Sequence, residues 1–209
     1  MNSNLFVANA QTNSKNISYE VIVDTILPEH ANSFVNVEKF EELCRIGCPN
    51  FNRKWSCPPF APPYPEFING WKYLYVFWFR VETDQFSYIN NDYLKIKAAN
   101  SILKSRADKF LRSMSKLHGQ YISTGSCRLC KPCRRKIDLP CAHPETMSYS
   151  FEAMGVNVEQ LVHSCFNCEL LWYRRGHLPR YTSVIAGLLA NEAISFEEIK
   201  SQHQFLIPE

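Results

Sequence analysis

The sequence has no long hydrophobic run, little net charge and no recognisable leader. Its longest apolar stretch, residues 73–79, is far too short to span a bilayer. The net charge is +3 over 209 residues, so a general attraction to nucleic acid or to a membrane surface is not expected. The N-terminus lacks the basic segment and apolar core of a secretory signal, so we expect a cytoplasmic protein.

The composition is that of a globular chain that can bury a core. Hydrophobic residues make up 45% of the sequence and aromatic residues 13%. No internal repeat or low-complexity tract is present. We expect a flexible N-terminal arm over residues 1–16, which are rich in Asn, Ser and Gln, and a single cysteine-rich iron–sulfur domain over residues 17–209.

Cysteine is the abundant residue of this sequence, with nine copies. In a reducing cytosol, clustered cysteines usually bind metal or carry out chemistry. Crowded free thiolates oxidise readily, which argues for anaerobic or strongly reducing surroundings.

The densest cysteine group lies in residues 125–144. Cys127, Cys130 and Cys133 are separated by two residues each, and Cys141 follows after seven more. This spacing is close to the Cys-x2-Cys-x2-Cys run of iron–sulfur proteins, whereas structural zinc sites usually take their ligands as two separated pairs. We predict a metal centre here, with a four-iron (4Fe–4S) cluster favoured over zinc. Cys141 belongs either to the same cluster or to a neighbouring one, and the alternative to metal is buried or disulfide-bonded cysteine.

A second group consists of Cys44, Cys48 and Cys57. Cys44 falls in the last turn of a predicted helix, Cys48 just past its end, and Cys57 before prolines that hold the backbone extended. These three thiolates are predicted to hold three corners of a second cluster, although Cys44 could instead be a small core residue. Cys165 or Cys168 is the candidate fourth ligand. Without a fourth cysteine, one iron would be open and could act as a Lewis acid.

Other side chains near the cysteines carry charge or can move protons. Five cations surround the group at 125–144, against one nearby acid, Asp138. They are Arg128, Lys131, Arg134, Arg135 and Lys136. Such a basic loop would stabilise an anionic cluster and raise its reduction potential, or it is simply solvated. His143 is placed to ligate or hydrogen-bond a cluster sulfur, and Glu152 is the candidate acid–base residue.

Hydrophobic periodicity predicts a mixed α/β (α+β) fold, with a sheet, flanking helices and the cysteine loops gathered at one edge. The predicted extended segments are 19–27, 71–81, 120–124, 170–173 and 181–189. The predicted helices are 37–46, 91–117, 158–165 and 195–199. The basic side of the 91–117 helix is predicted to be a solvated face, with a docking surface for an acidic partner as the alternative. Its members are Lys95, Lys104, Lys109, Arg112 and Lys116.

Four motifs together resemble an uncharacterised family of predicted metal-binding proteins, found mainly in anaerobic microbes. They are Cys44-x3-Cys48-Pro-Asn-Phe-x3-Trp55-Ser-Cys57-Pro-Pro, Gly125-Ser-Cys127-x-Leu-Cys130-x2-Cys133, Pro140-Cys141-x2-Pro144 and Ser150-Phe-Glu152-Ala-Met-Gly155-Val-Asn-Val158. The resemblance runs from about residue 43 to 187. It implies a metal, with iron–sulfur favoured, bound through the seven cysteines from Cys44 to Cys141, and it implies no settled reaction. The chain departs from the family pattern at residues 134–139, where a glycine is usual, and in carrying Cys165 and Cys168.

Three functions fit these patterns. The first is a protein with one or two 4Fe–4S clusters that transfers electrons to a redox partner protein or supports a partner enzyme. The second is an enzyme whose Cys44/Cys48/Cys57 cluster has an open iron and acts on a small-molecule substrate by sulfur transfer, desulfuration or lyase-type chemistry. The third is a zinc-stabilised binding module. Neither a membrane nor nucleic acid is expected as a partner.

Overall fold

Five antiparallel strands form one sheet in the computed structural model, which describes residues 4–12 and 15–206. The strands are β1 (Asn4–Gln11), β2 (Asn16–Ile26), β3 (Tyr73–Glu82), β4 (Gly119–Ile122) and β5 (Tyr181–Ala190). Their order across the sheet is β1-β2-β3-β5-β4, and each neighbouring pair is antiparallel. The predicted mixed α+β class is therefore confirmed.

The central strand, β3, is buried on both faces. Phe77 and Phe79 point into one core cluster, while Val76 and Trp78 point into the other. Successive side chains of a strand alternate between faces, so a strand covered on both sides reads as a continuous apolar run. The central strand predicted over residues 71–81 is confirmed.

Helices cover both faces of the sheet. The helices are α1 (Val37–Gly47), α2 (Tyr64–Phe67), α3 (Asp92–His118), α4 (Val158–Phe166) and α5 (Phe196–Leu206). The long α3 and the C-terminal α5 pack on the Phe77 face, and α4 and α2 pack on the Trp78 face. The helix α1 buries none of its own residues and lies outside both layers. Within the described ranges, no helix has both the length and the apolar composition needed to cross a membrane.

The helix ends follow local sequence signals. The Asn36 side chain accepts from the Lys39 backbone N–H at the start of α1, and the Asn91 side chain accepts from the Leu94 N–H at the start of α3. Asparagine satisfies first-turn donors in this way. Gly119 ends α3 where a Cβ would run into the Leu189 carbonyl oxygen.

The predicted arm over residues 1–16 is wrong for Asn4–Gln11, which form the edge strand β1. They pair with β2 from Asn4↔Val23 to Gln11↔Asn16. Phe6 and Ala10 point into the core, whereas Leu5 and Val7 are 47% and 58% exposed, so only one face of this edge strand is buried. Residues 1–3, 13 and 14 of the predicted arm lie outside the described residues, and the domain division at residue 17 stays a prediction.

Candidate metal centres

The two cysteine-bearing segments pack against each other next to the β4 edge of the sheet. One segment is the end of α1 and the loop after it, and the other is the loop that follows β4. The Lys54 ammonium donates to Ser126 Oγ at 3.0 Å and to the Cys127 carbonyl at 2.9 Å. The Trp55 indole N–H donates to the Leu139 carbonyl at 2.9 Å. The predicted gathering of the cysteine loops at one edge is confirmed.

Cys127, Cys130, Cys133 and Cys141, the four-cysteine group, line one small enclosed space. Its volume is about 10 Å³, on the order of one water molecule. Partial desolvation and the three neighbouring sulfurs raise the pKa of Cys130. Despite the seven-residue gap, Cys141 lines the same space as the other three cysteines.

Two further groups contact Cys141 within this site. Its thiol lies 3.9 Å from the thioether sulfur of Met147, and the His143 backbone N–H donates to Cys141 Sγ at 3.4 Å. The His143 side chain is exposed. His143 therefore contributes a main-chain hydrogen bond to a sulfur, which is one of the two roles expected of it.

Cys44, Cys48 and Cys57, the three-cysteine group, line a larger cavity of about 410 Å³, the cysteine cavity. Cys48 is the C-cap residue of α1, and its N–H donates to the Cys44 carbonyl at 2.9 Å, which keeps the two thiols adjacent. Burial raises the pKa of Cys57 to about 11. Burial also raises the pKa of Cys44, and the nearby Cys48 and Glu152 add to this increase. The three-cysteine group thus borders a larger space than the four-cysteine group does.

The chemistry of both groups fits a thiolate-ligated metal or cluster. Cysteine sulfur is the common ligand of structural zinc and of iron–sulfur clusters. The sulfurs are grouped without converging on one point, since no three His, Cys, Asp or Glu side chains among residues 4–12 and 15–206 are placed to share a single ion. The Cys127 to Cys141 group would hold one metal centre, and the Cys44 to Cys57 group another.

A buried serine lies between the two groups. Ser56 is 1% exposed, and its hydroxyl accepts the Cys127 backbone N–H at 2.9 Å. The same oxygen lies 4.0 Å from Cys57 Sγ. The Ser56 side chain thus contacts Cys57, the last cysteine of the three-cysteine group, and the backbone of Cys127, the first cysteine of the four-cysteine group.

Arg135, one of the five cations near the four-cysteine group, has a structural role. Its guanidinium lies over the Trp55 and Phe60 rings, 5.5 and 4.7 Å from their centroids. It also bonds to Asp138 and donates to Asn52 Oδ1. Arg135 therefore clamps the two loops together, while Arg128, Lys131, Arg134 and Lys136 are exposed.

Cys165 and Cys168 line neither site. Cys165 is 2% exposed on the inner side of α4, in the cluster that includes Trp78 and Tyr64, and burial raises its pKa to about 12. Cys168 packs at the border of the same cluster. The structure thus does not bring the candidate fourth ligands to the three-cysteine group.

Lys104 and Arg112 depart from the predicted solvated face of α3. Lys104 lines the cysteine cavity together with Glu152. Arg112 is bonded to Asp108, the Thr146 carbonyl and Ser148 Oγ. Lys104 follows Ile96 by eight residues, so helical periodicity places it at the border of the apolar stripe, a signal that could have identified it. For the loop contacts of Lys54 and Ser56, we find no local sequence signal.

A family model described as "Predicted metal-binding protein (DUF2284)" matches residues 30–189, a range that contains all nine cysteines. No curated protein and no solved structure matches the chain.

Proposed function

Because this chain belongs to the DUF2284 family of predicted metal-binding proteins, we propose that it is an iron–sulfur protein with 4Fe–4S clusters at its two cysteine groups and a role in electron transfer. Cys127, Cys130, Cys133 and Cys141 would hold one cluster. Cys44, Cys48 and Cys57 would hold the other. Clusters of this type supply one-electron redox chemistry over a wide range of potentials.

The observation that carries this proposal is the adjacency of the two groups. The Ser56 hydroxyl contacts both Cys127 and Cys57. Its contact with Cys127 is to the backbone N–H and its contact with Cys57 is to Sγ, so the loops of the two groups meet at this residue, and redox centres on neighbouring loops are well placed to exchange electrons. A pair of structural zinc sites would gain nothing from such closeness.

The spacing of the four-cysteine group also favours a cluster. Three cysteines at two-residue intervals match the ferredoxin type of run better than the two separated pairs of zinc sites. The loop that carries them is irregular apart from a short 3₁₀ turn at Arg134–Ile137, so the thiols sit on a backbone that can adjust to a polynuclear group.

The charge on this loop fits an acidic redox partner. Four of its cations are exposed around the four-cysteine group. Burial and the neighbouring sulfurs raise the pKa of Cys130, and Arg134 partly offsets this increase. Exposed cations of one sign speed association with an oppositely charged protein and make it dependent on salt.

The test is anaerobic purification with iron, zinc and acid-labile sulfide analysis, followed by group-specific variants. Cys130→Ala and Cys48→Ala should each abolish one cluster, seen as loss of about half of the iron and of one EPR signal. Cys165→Ala and Cys168→Ser should retain both clusters and serve as controls. Stoichiometric zinc without sulfide would contradict the proposal, and so would loss of iron in the Cys168→Ser protein alone.

The cysteine cavity supports a second candidate, an enzyme with an open iron at the three-cysteine group. Only three cysteines line this cavity within the described part of the chain, and Glu152 lies beside Cys44. An open metal site acts as a Lewis acid, suited to sulfur transfer, desulfuration or lyase-type steps in which Glu152 moves the proton. Added sulfide should then perturb the EPR spectrum of one cluster only, and the effect should disappear in Cys48→Ala. A relay with fully ligated irons would show no change.

A further inference from the structure

A second cavity adjoins the cysteine cavity. It has a volume of about 350 Å³, and Lys104, Thr124 and Glu152 line both spaces. Three shared lining residues place the two cavities side by side, and we call the two together the cleft and each cavity a lobe. We name the second space the aromatic lobe, after Tyr93, Trp172 and Tyr173 in its lining. Each lobe is within the size range of small-molecule sites.

We propose that this cleft binds a small organic acid, with its anionic group at Lys104 and its apolar body in the aromatic lobe. The inference goes beyond the electron-transfer proposal and depends on residues of this chain that are not metal ligands. Its test therefore does not depend on which metal the cysteines hold.

Lys104 is a half-buried cation without a counter-ion. Among the described residues, it makes no ion pair within 4 Å and no hydrogen bond, and burial together with Arg128 lowers its pKa, against a smaller opposing effect of Glu152. Two other partly buried cations of α3 are paired with acids. Lys95 contacts Asp92 at 2.8 Å and Arg112 contacts Asp108 at 3.0 Å. Burying a charge without a partner is unfavourable, so a ligand anion would supply the interaction that Lys104 lacks.

Among the groups that shift the pKa of Lys104, none is a cysteine. The cation that acts on Cys57 is Lys54, and the charged neighbours of Lys104 are Arg128 and Glu152. Arg128 lines the cysteine cavity and is exposed. The lining of the cysteine cavity thus has two cations, Lys104 and Arg128, against one acid, Glu152, which favours an anionic ligand.

The aromatic lobe offers an apolar surface with a polar edge. Ile96, Leu171 and Ile185 supply aliphatic lining, and Tyr93 and Trp172 add ring faces. On the polar side, Thr182 Oγ1 donates to Asn100 Oδ1 at 2.9 Å, so this pair is already satisfied. A lobe of this composition selects a hydrocarbon or aromatic body rather than a second charged group.

The rim of the lobe is held in place by two contacts. The Trp172 indole N–H donates to Glu159 Oε1 at 2.5 Å, and the Tyr93 and Tyr173 rings lie 5.8 Å apart. Trp172 is nevertheless 58% exposed. Its fluorescence should therefore respond when a ligand covers the indole ring.

The experiment uses the anaerobically purified chain and matched pairs of probes. Acetate, butyrate, benzoate and phenylacetate are compared with their uncharged amides by calorimetry and by Trp172 fluorescence. We expect affinity to rise from acetate to phenylacetate, and each acid to bind at least tenfold more tightly than its amide. Lys104→Met should lose at least tenfold in affinity, Lys104→Arg should retain most of it, and the exposed Lys109→Met on the same helix should behave as wild type. Trp172→Ala should weaken phenylacetate more than acetate.

Several results would overturn the inference. One is equal binding of acids and amides, and another is unchanged binding in Lys104→Met. Equal binding of acetate and phenylacetate would exclude the aromatic lobe. Binding that persists in Lys104→Met but is lost in Cys48→Ala would place the anion on the metal instead. A failure of the iron–sulfur proposal would appear separately, in the metal and sulfide analysis.

Discussion

Replacing Ser56 with alanine should weaken both cysteine groups at once. Ser56 is 1% exposed, and its hydroxyl accepts the Cys127 N–H at 2.9 Å and lies 4.0 Å from Cys57 Sγ. The change removes one buried hydrogen bond and leaves a backbone donor without this acceptor, a loss of about 1–3 kcal/mol in the free energy of unfolding. For a chain of 209 residues, each kcal/mol lowers the melting temperature by about 2–4 °C. We expect a decrease of roughly 2–12 °C in thermal unfolding under anaerobic conditions.

A second measurement links this loss to the metal centres. The rate of metal release to a chelator should increase for both cysteine groups in Ser56→Ala, because the hydroxyl contacts both. Ser126→Ala is the matched control. Its hydroxyl accepts from Lys54, and Lys54 keeps a second acceptor in the Cys127 carbonyl at 2.9 Å, so the effect should be smaller. A Ser56→Ala protein with wild-type melting temperature and wild-type metal release would refute the reasoning.

Two further predictions concern how the fold is held together. Burial lowers the pKa of His203 to about 4 from the 6.5 of an unfolded chain. The folded state therefore binds this proton at a lower pH than the unfolded state does. The contribution of neutral His203 to the free energy of unfolding is complete above pH 6.5 and is lost as the pH falls towards 4. The loss is about 2 kcal/mol at pH 5. Urea unfolding at pH 7.5 and 5 should show this decrease in wild type and in Tyr19→Phe, which removes the hydroxyl 3.1 Å from the imidazole. The decrease should be smaller by that amount in His203→Phe, and an equal decrease in all three proteins would contradict the assignment. Gly155→Ala adds a Cβ at φ +88°, 2.8 Å from Val37 Cα, and should cost at least about 2 kcal/mol. Gly176→Ala, at φ +81° with nothing within 4 Å, should cost less, and equal melting temperatures for the two would exclude the Val37 contact as the cause.

The regular elements could be predicted because their signals are local. The apolar run of β3 and the helical period of α3 each identify a buried element within one window of sequence. The helix α1 begins at Val37, as predicted, and α3 begins at Asp92, one residue after the start of the predicted range. The grouping of cysteines into two sets was also readable, since most of the ligands of each set lie close together in sequence.

Features that depend on tertiary contacts could not be read in this way. Cys165 looked like a ligand because only two residues separate it from Cys168, but it lies on the buried side of α4 and packs in the core. The segment 170–173, predicted as extended, pairs with no strand and instead contributes lining to the aromatic lobe. Lys104 was assigned to a solvated face; its position at the border of the apolar stripe was a signal, but the residues that line the cysteine cavity with it come from other segments. In each case the deciding neighbour is distant along the chain.

The two cysteine groups border spaces of different size because different elements carry them. The four-cysteine group lies on one loop after β4, and residues of that loop contact its own sulfurs. The three-cysteine group depends on α1, which buries no residue of its own, so the core does not fix its position. Its start is held instead by backbone contacts: Asn36 N–H donates to the Gly155 carbonyl at 2.8 Å, and Val35 bridges to Val156. The same turn, Glu152–Met154, brings Glu152 beside Cys44. Residues 152–156 therefore contact the start of α1 and also carry Glu152, an acid beside Cys44 and Lys104, so the cysteine cavity and its charged lining are positioned together.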